Sequence, residues 1–462
     1  MVPEWPAARR HSEPGRGIGR PSLRPRASLP DGRQYIKLRS GISSVLVSSE
    51  CLEPSNAVVE ANVQEWPATA ALIIAEVIGS GVLALGGQTA VVGLVVGLLA
   101  LLLFYPANVF TALLLGKVRQ KLPAALTFGD ALTMVLGPKA GRYGYMVLYF
   151  YLFMCMANYL IVLGHSVQAS IYWTSTCQPW ACFIGTILLL PLNQFRTLSG
   201  LTLLSMVSFA TIVTTLALCL WTLLTNASCQ PQQREPGFLD YNSCISGFVF
   251  AFAGQHIMLE MQAEMKNPEH FPNAVFLSYS VLFLVYTLVA VLSYLACGKD
   301  TPGDLLLVLP TGWWKSLAGA LMVLHLMVTY TISQQVLNRA ICVYLLPGAL
   351  QDGLVARFKW FLVTSAVMAA CYTLANAIPL FQDVVNLSGA LLSTQCVFIL
   401  PGVLFLALCS FELVQREGQV AVWIGSWSAI LVGVYLIIMG TLSSIVVISA
   451  KLSSGSSRPF SC

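Results

Sequence analysis

The sequence is poor in charge. Only 10% of its 462 residues are Asp, Glu, Lys or Arg, against roughly 25% in a soluble domain. A large core does not explain the deficit, because a globule of this length still needs a polar surface. Patterns that carry catalysis or metal are also missing. There are five histidines and 13 cysteines, but their spacings match no zinc pattern. The glycine-rich stretches lie inside apolar runs and follow no strand, which argues against a phosphate loop. No catalytic constellation emerges, so the expectation is a protein that is not an enzyme and holds no metal or cofactor.

What is abundant is apolar. The types AVILMFWYC make up 56% of the chain, and the mean hydropathy is +0.74. Lipid is therefore the solvent for most of it, and nucleic acid is not an expected partner despite the formal charge of +5. A span needs roughly 20 apolar residues. Candidates fall near 66–86, 89–115, 143–173, 179–195, 200–224, 243–262, 274–298, 314–336, 357–377, 383–409 and 419–449. The reading is an all-α polytopic membrane protein with about eleven transmembrane helices, of which 179–195 is the shortest. Residues 1–65 differ: they hold nine Lys or Arg and no long apolar run. They read as a disordered cytosolic tail. A transit peptide or a segment touching anionic lipid are the other readings. Residues 66–449 form the membrane domain and 450–462 a short non-cytosolic tail.

Charge gives the spans a direction. With the amino terminus in the cytosol, 20 basic residues fall on the cytosolic side and 5 on the other, as the positive-inside rule expects. The sequon Asn226-Ala227-Ser228 then lies on the non-cytosolic side and makes Asn226 a glycosylation candidate. A second sequon, at Asn386, lies inside a span and should be silent. Cys177, Cys182, Cys229 and Cys244 sit in or beside two loops on that same side. An oxidising exterior or lumen would allow a disulfide among them.

Two spans look broken at mid-membrane. One centres on Gly79-Ser80-Gly81, with Glu76 a turn earlier; the other centres on Ala253-Gly254-Gln255-His256, followed by Glu260. Glycine costs a helix roughly 0.8–1 kcal/mol relative to alanine. Unwound backbone survives in lipid only where it lines a cavity or is buried in protein. An opened helix offers N–H groups to an anion and carbonyls to a cation, which are the two charges of a zwitterionic amino acid. Close packing at small residues is the competing reading. The breaks fall in the first and sixth spans, equivalent positions if spans 1–5 and 6–10 are inverted repeats, and paired interruptions of that kind point to a transporter site.

The stretch IIAEVIGSGVLALGGQTAVVG resembles the first-span signature of the amino acid/auxin permease family. FAFAGQHIMLEMQAEMKNPEHFPNAV resembles that family's sixth span. The resemblance covers about 66–409. It implies a leucine-transporter-like fold of 5+5 inverted repeats plus one extra helix, and secondary active transport of amino acids by a monomer. The membrane would be plasma, endosomal or vacuolar. It also implies coupling to H+, with Na+ as the alternative; a non-transporting amino-acid sensor is a further reading. Substrate-binding candidates are Ile78, Gly79, Ser80 and Gly81 at the first break, and Phe252, Ala253, Gly254 and Gln255 at the second. Glu76, where relatives usually carry a small or apolar residue, and Glu260 are candidates for proton coupling, because an acidic residue in a span is costly. Asn158 and His165, and His325 with Thr329, share helix faces. The two histidines are candidates for proton relay or for interior hydrogen bonds. Thr329 and Ser333 are the oxygens that would hold sodium.

Overall fold

The structure, a computed structural model, describes residues 64–195, 201–225, 229, 236–351, 353–413, 420–454 and 459–460. All belong to one compact unit, Ala61–Cys462. The tail expected over 1–65, apart from its last two residues, and the sequon at Asn226 lie outside the described residues.

Helices dominate. In order they are α1 (Trp66–Val77), α2 (Ser80–Val92), α3 (Leu94–Lys121), α4 (Phe128–Leu136), α5 (Pro138–Ser170) and α6 (Gln178–Leu192). Then come α7 (Leu201–Thr225), α8 (Phe238–Phe252), α9 (Gln255–Ala263), α10 (Phe271–Cys297) and α11 (Trp313–Leu345). The last are α12 (Leu354–Ala377), α13 (Phe381–Ser388), α14 (Leu400–Leu413), α15 (Val420–Tyr435) and α16 (Thr441–Ser453). Wide π-helical turns join α13 to α14 and α15 to α16, so each pair runs on as one span. Local signals set the boundaries. Thr127 and Asp130 close a capping box at the start of α4, and Pro138 opens α5, where its missing N–H costs nothing.

Among the described residues, nine helices are long and apolar enough to cross a membrane, and α1 with α2 make a tenth as a bent pair. The eleventh expected segment is α6, which has only 15 residues. Burial sorts the spans. The most apolar window of α5 is 78% buried, against 33% for α12 and for the α15–α16 span. The outer helices turn residues such as Leu354, Val355, Phe358 and Leu431 outward. Apolar surface on this scale is suited to lipid rather than water.

The two interrupted spans cross at the centre. The chain bends by 58° between α1 and α2. The α8–α9 break is gentler: Ala253 alone turns extended, and residues 238–263 continue as one span. Each break presses a glycine into the other span. A Cβ on Gly81 would lie 2.8 Å from Ala251 Cα, and one on Gly254 would lie 2.6 Å from Val77 Cγ2.

At the Gln64 end the two spans are fastened. Gln64 N donates to Glu264 O (3.3 Å), and Lys266 N donates to Gln64 O (2.9 Å). The Gln64 amide donates to the Glu264 carboxylate at 3.0 Å. Glu65 and Lys266 add an ion pair at 3.2 Å, which is exposed and contributes little. At the other end, Gln88 donates to Asn386 (3.1 Å) and Asn386 to Ser243 (3.2 Å), joining α2, α13 and α8. Lys451 of α16 reaches both oxygens of Asp383, at 2.8 and 2.7 Å.

The disulfide expectation is corrected. Cys229 bonds Cys297, at the end of α10. Cys177 is also disulfide-bonded. Cys182 and Cys244 are buried free thiols: their helices turn them into the protein, where Cys182 donates to Leu160 O at 3.2 Å.

Candidate functional site

A small cavity lies where the breaks meet. Glu76, Val77, Gly79, Ser80 and Gly81 line it from the first break. Phe250, Ala253 and His256 line it from the second, Tyr151, Leu152, Cys155 and Tyr159 from α5, and Ser333 from α11. The first break supplies a positive end. The first N–H groups of α2 have no intrahelical acceptor, and they carry the helix dipole. Ser80 adds a buried hydroxyl with no protein partner. His256 likewise has an unpartnered, buried Nδ1, and its ring rests edge-on against Tyr151 at 4.9 Å.

Three carbonyls at the breaks have tyrosine partners. Tyr286 of α10, fully buried, has its hydroxyl 3.2 Å from Val77 O and 2.7 Å from Ala251 O. It carries one proton, so it donates to one of the two at a time. Tyr279, seven residues earlier, donates to Phe252 O at 3.4 Å.

Four of the eight substrate-binding candidates, Gly79, Ser80, Gly81 and Ala253, line the cavity, as does Glu76. The others are at the breaks but not in its wall. Ile78 is buried in the core. Phe252 packs edge-on against Tyr286 at 4.9 Å. Gly254 makes room for Val77. Gln255 turns to α3, donating to Asn108 Oδ1 (3.0 Å) and Thr111 Oγ1 (3.2 Å). Glu260 is exposed and lies outside the cavity.

The face-sharing polar residues separate. Asn158 donates to Ser388 at 3.2 Å. His165 pairs with Asp304 at 2.7 Å, and His325 with Ser208 at 2.9 Å, so both histidines make interior bonds away from the cavity. Thr329 donates to its own helix, at His325 O, whereas Ser333 reaches the cavity. Sequence reasoning missed the α5 wall. Its signal is a four-residue recurrence, Tyr151, Cys155 and Tyr159, on one helix face.

A family model described as transmembrane amino acid transporter protein matches residues 62–446. The chain is 27% identical to amino acid transporter AVT3A of Arabidopsis thaliana over 411 residues, 82% of this chain and 89% of that one. Amino acid transporter ANT1 of the same plant is 25% identical, with 81% and 90% covered. Amino acid transporter AVT1J matches over a shorter stretch, 27% identical across 44% of this chain and 46% of its own. The chain belongs to the transmembrane amino acid transporter protein family.

Proposed function

We propose that this protein moves amino acids across a membrane by alternating access, in symport with protons. The observation that carries the reading is the cavity between two broken spans, which pairs the open N–H end of α2 and the unpartnered Ser80 hydroxyl with the Glu76 carboxylate. The names of the relatives point to the same class of cargo. The substrate's carboxylate binds at Ser80 and the α2 N-terminus. Glu76 carries the proton, and exposed Glu260 passes it toward the Gln64 side.

Two features favour protons over sodium. Tyr286 and Tyr279 take carbonyls that a bound cation would need. Thr329 lies outside the cavity wall, which Ser333 of the same helix reaches. The amino terminus is cytosolic: Cys177, Cys229 and Cys297, all disulfide-bonded, then lie on the opposite side, where oxidising conditions preserve such bonds.

The test is uptake of a labelled amino-acid panel into proteoliposomes, with proton and sodium gradients imposed separately. Uptake follows the proton gradient, and Glu76→Gln uncouples it. Binding without uptake under either gradient would sink the transport reading. Uptake driven by sodium alone would sink the proton reading.

A further inference from the structure

The cavity holds one carboxylate and no basic side chain that matches it. Glu76 lines it, and no Lys or Arg does. Among the described residues, no ion pair includes Glu76. The titratable groups around it are Tyr151, Cys155 and Tyr159 on α5, and His256 and Glu260 on α9. Glu260 adds a like charge. His256 makes no ion pair with Glu76 and leaves its Nδ1 unpartnered.

A carboxylate closed off from water without a counter-charge is strongly disfavoured. When the loaded cavity closes on its cargo one positive charge therefore enters with it, whereas the empty cavity returns with water in the cargo's place around the carboxylate. A neutral amino acid is a zwitterion and brings no net charge, so the charge has to be a proton. An amino acid with an ammonium or guanidinium side chain brings the charge itself. The same wall carries the aromatic side chains of Tyr151, Tyr159 and Phe250, a residue type suited to such a cation.

Resting on the transport reading above, we infer that this cavity carries two charge classes of amino acid by one rule. Neutral substrates travel with a proton on Glu76. Cationic substrates travel without one. One net positive charge crosses per cycle in both cases.

The experiment uses the full chain in proteoliposomes, with potassium and valinomycin to set the potential and a trapped pH dye. Labelled leucine and lysine are the probes. An inside-negative potential drives both, with one charge per substrate. The lumen acidifies with leucine and not with lysine. Glu76→Gln abolishes leucine-linked acidification and lowers lysine uptake by about tenfold or more. Glu76→Asp keeps the charge, and shows both modes. Leucine carried with its proton but lysine refused, or lysine carried with an equal proton flux, overturns the rule and leaves the transport reading standing. Loss of acidification in His256→Gln, with Glu76→Gln unaffected, overturns the assignment to Glu76. No uptake of either substrate while both bind overturns the transport reading, and the rule falls with it.

Discussion

Replacing Tyr286 with Phe removes one hydroxyl from the centre of the protein. The ring stays, and with it the edge-on contact to Phe252 at 4.9 Å. Val77 O loses a donor at 3.2 Å but keeps Gly79 N at 2.8 Å. Ala251 O loses its donor at 2.7 Å, and α8 ends one residue later, so no following helical turn replaces it. Leaving one buried acceptor unsatisfied costs about 1–3 kcal/mol, which is a roughly 5- to 150-fold shift in any equilibrium that makes or breaks that bond. Tyr286→Phe therefore melts earlier in detergent than the parent. The freed Ala251 carbonyl, with Val77 O beside it, also offers a cation the place left by the hydroxyl, so the variant gains stability when choline chloride is exchanged for sodium chloride. The parent does not. The assay is a thermal unfolding series in the two salts, paired with uptake. An unchanged midpoint, or sodium stabilisation of the parent equal to that of the variant, would refute the role given to this hydroxyl.

Lys451→Met strands the Asp383 side chain, which is only 5% exposed. The loss is about 3 kcal/mol, the lower end for a buried pair because Lys451 itself is half-exposed. The double variant Asp383→Leu/Lys451→Met recovers most of the thermal midpoint. Gly81→Val forces a side chain into Ala251 backbone and costs about 1–3 kcal/mol or more; it is read as loss of folded protein by size-exclusion chromatography. Peptide mapping without reductant recovers Cys229 joined to Cys297, and a link from Cys229 to Cys182 or Cys244 would contradict the fold.

Both breaks are legible in the sequence because glycine, a pair at the first and Gly254 at the second, stands out with a carboxylate in an apolar run. Which break residues reach the cavity is not legible. Once the backbone turns extended at Ala253, neighbouring side chains point to opposite sides. Ala253 thus lines the cavity while Phe252 turns to α10, and in the helix α9 His256 lines the cavity while Gln255, one residue earlier, turns to α3. The α5 wall stayed hidden for another reason. Tyrosine and cysteine every fourth residue in an apolar helix look the same whether they pack on a neighbour or border a cavity. Cys297 was masked by position, since it closes an apolar run and reads as part of a span.

The fastening at Gln64 has a mechanical meaning. α1 has 12 residues and α9 has nine, lengths at which an isolated helix is marginal. Each is a stub, held at one end by a break. Because Gln64 pairs with the backbone around Met265, the outer ends of the two stubs share a crossbar. Two levers with a common crossbar swing together or tear it. A swing of α1 alone gives up the backbone bonds to Glu264 and Lys266; a joint swing keeps them. The segment that precedes Gln64 is covalently continuous with the crossbar, so whatever restrains that segment restrains both levers at once.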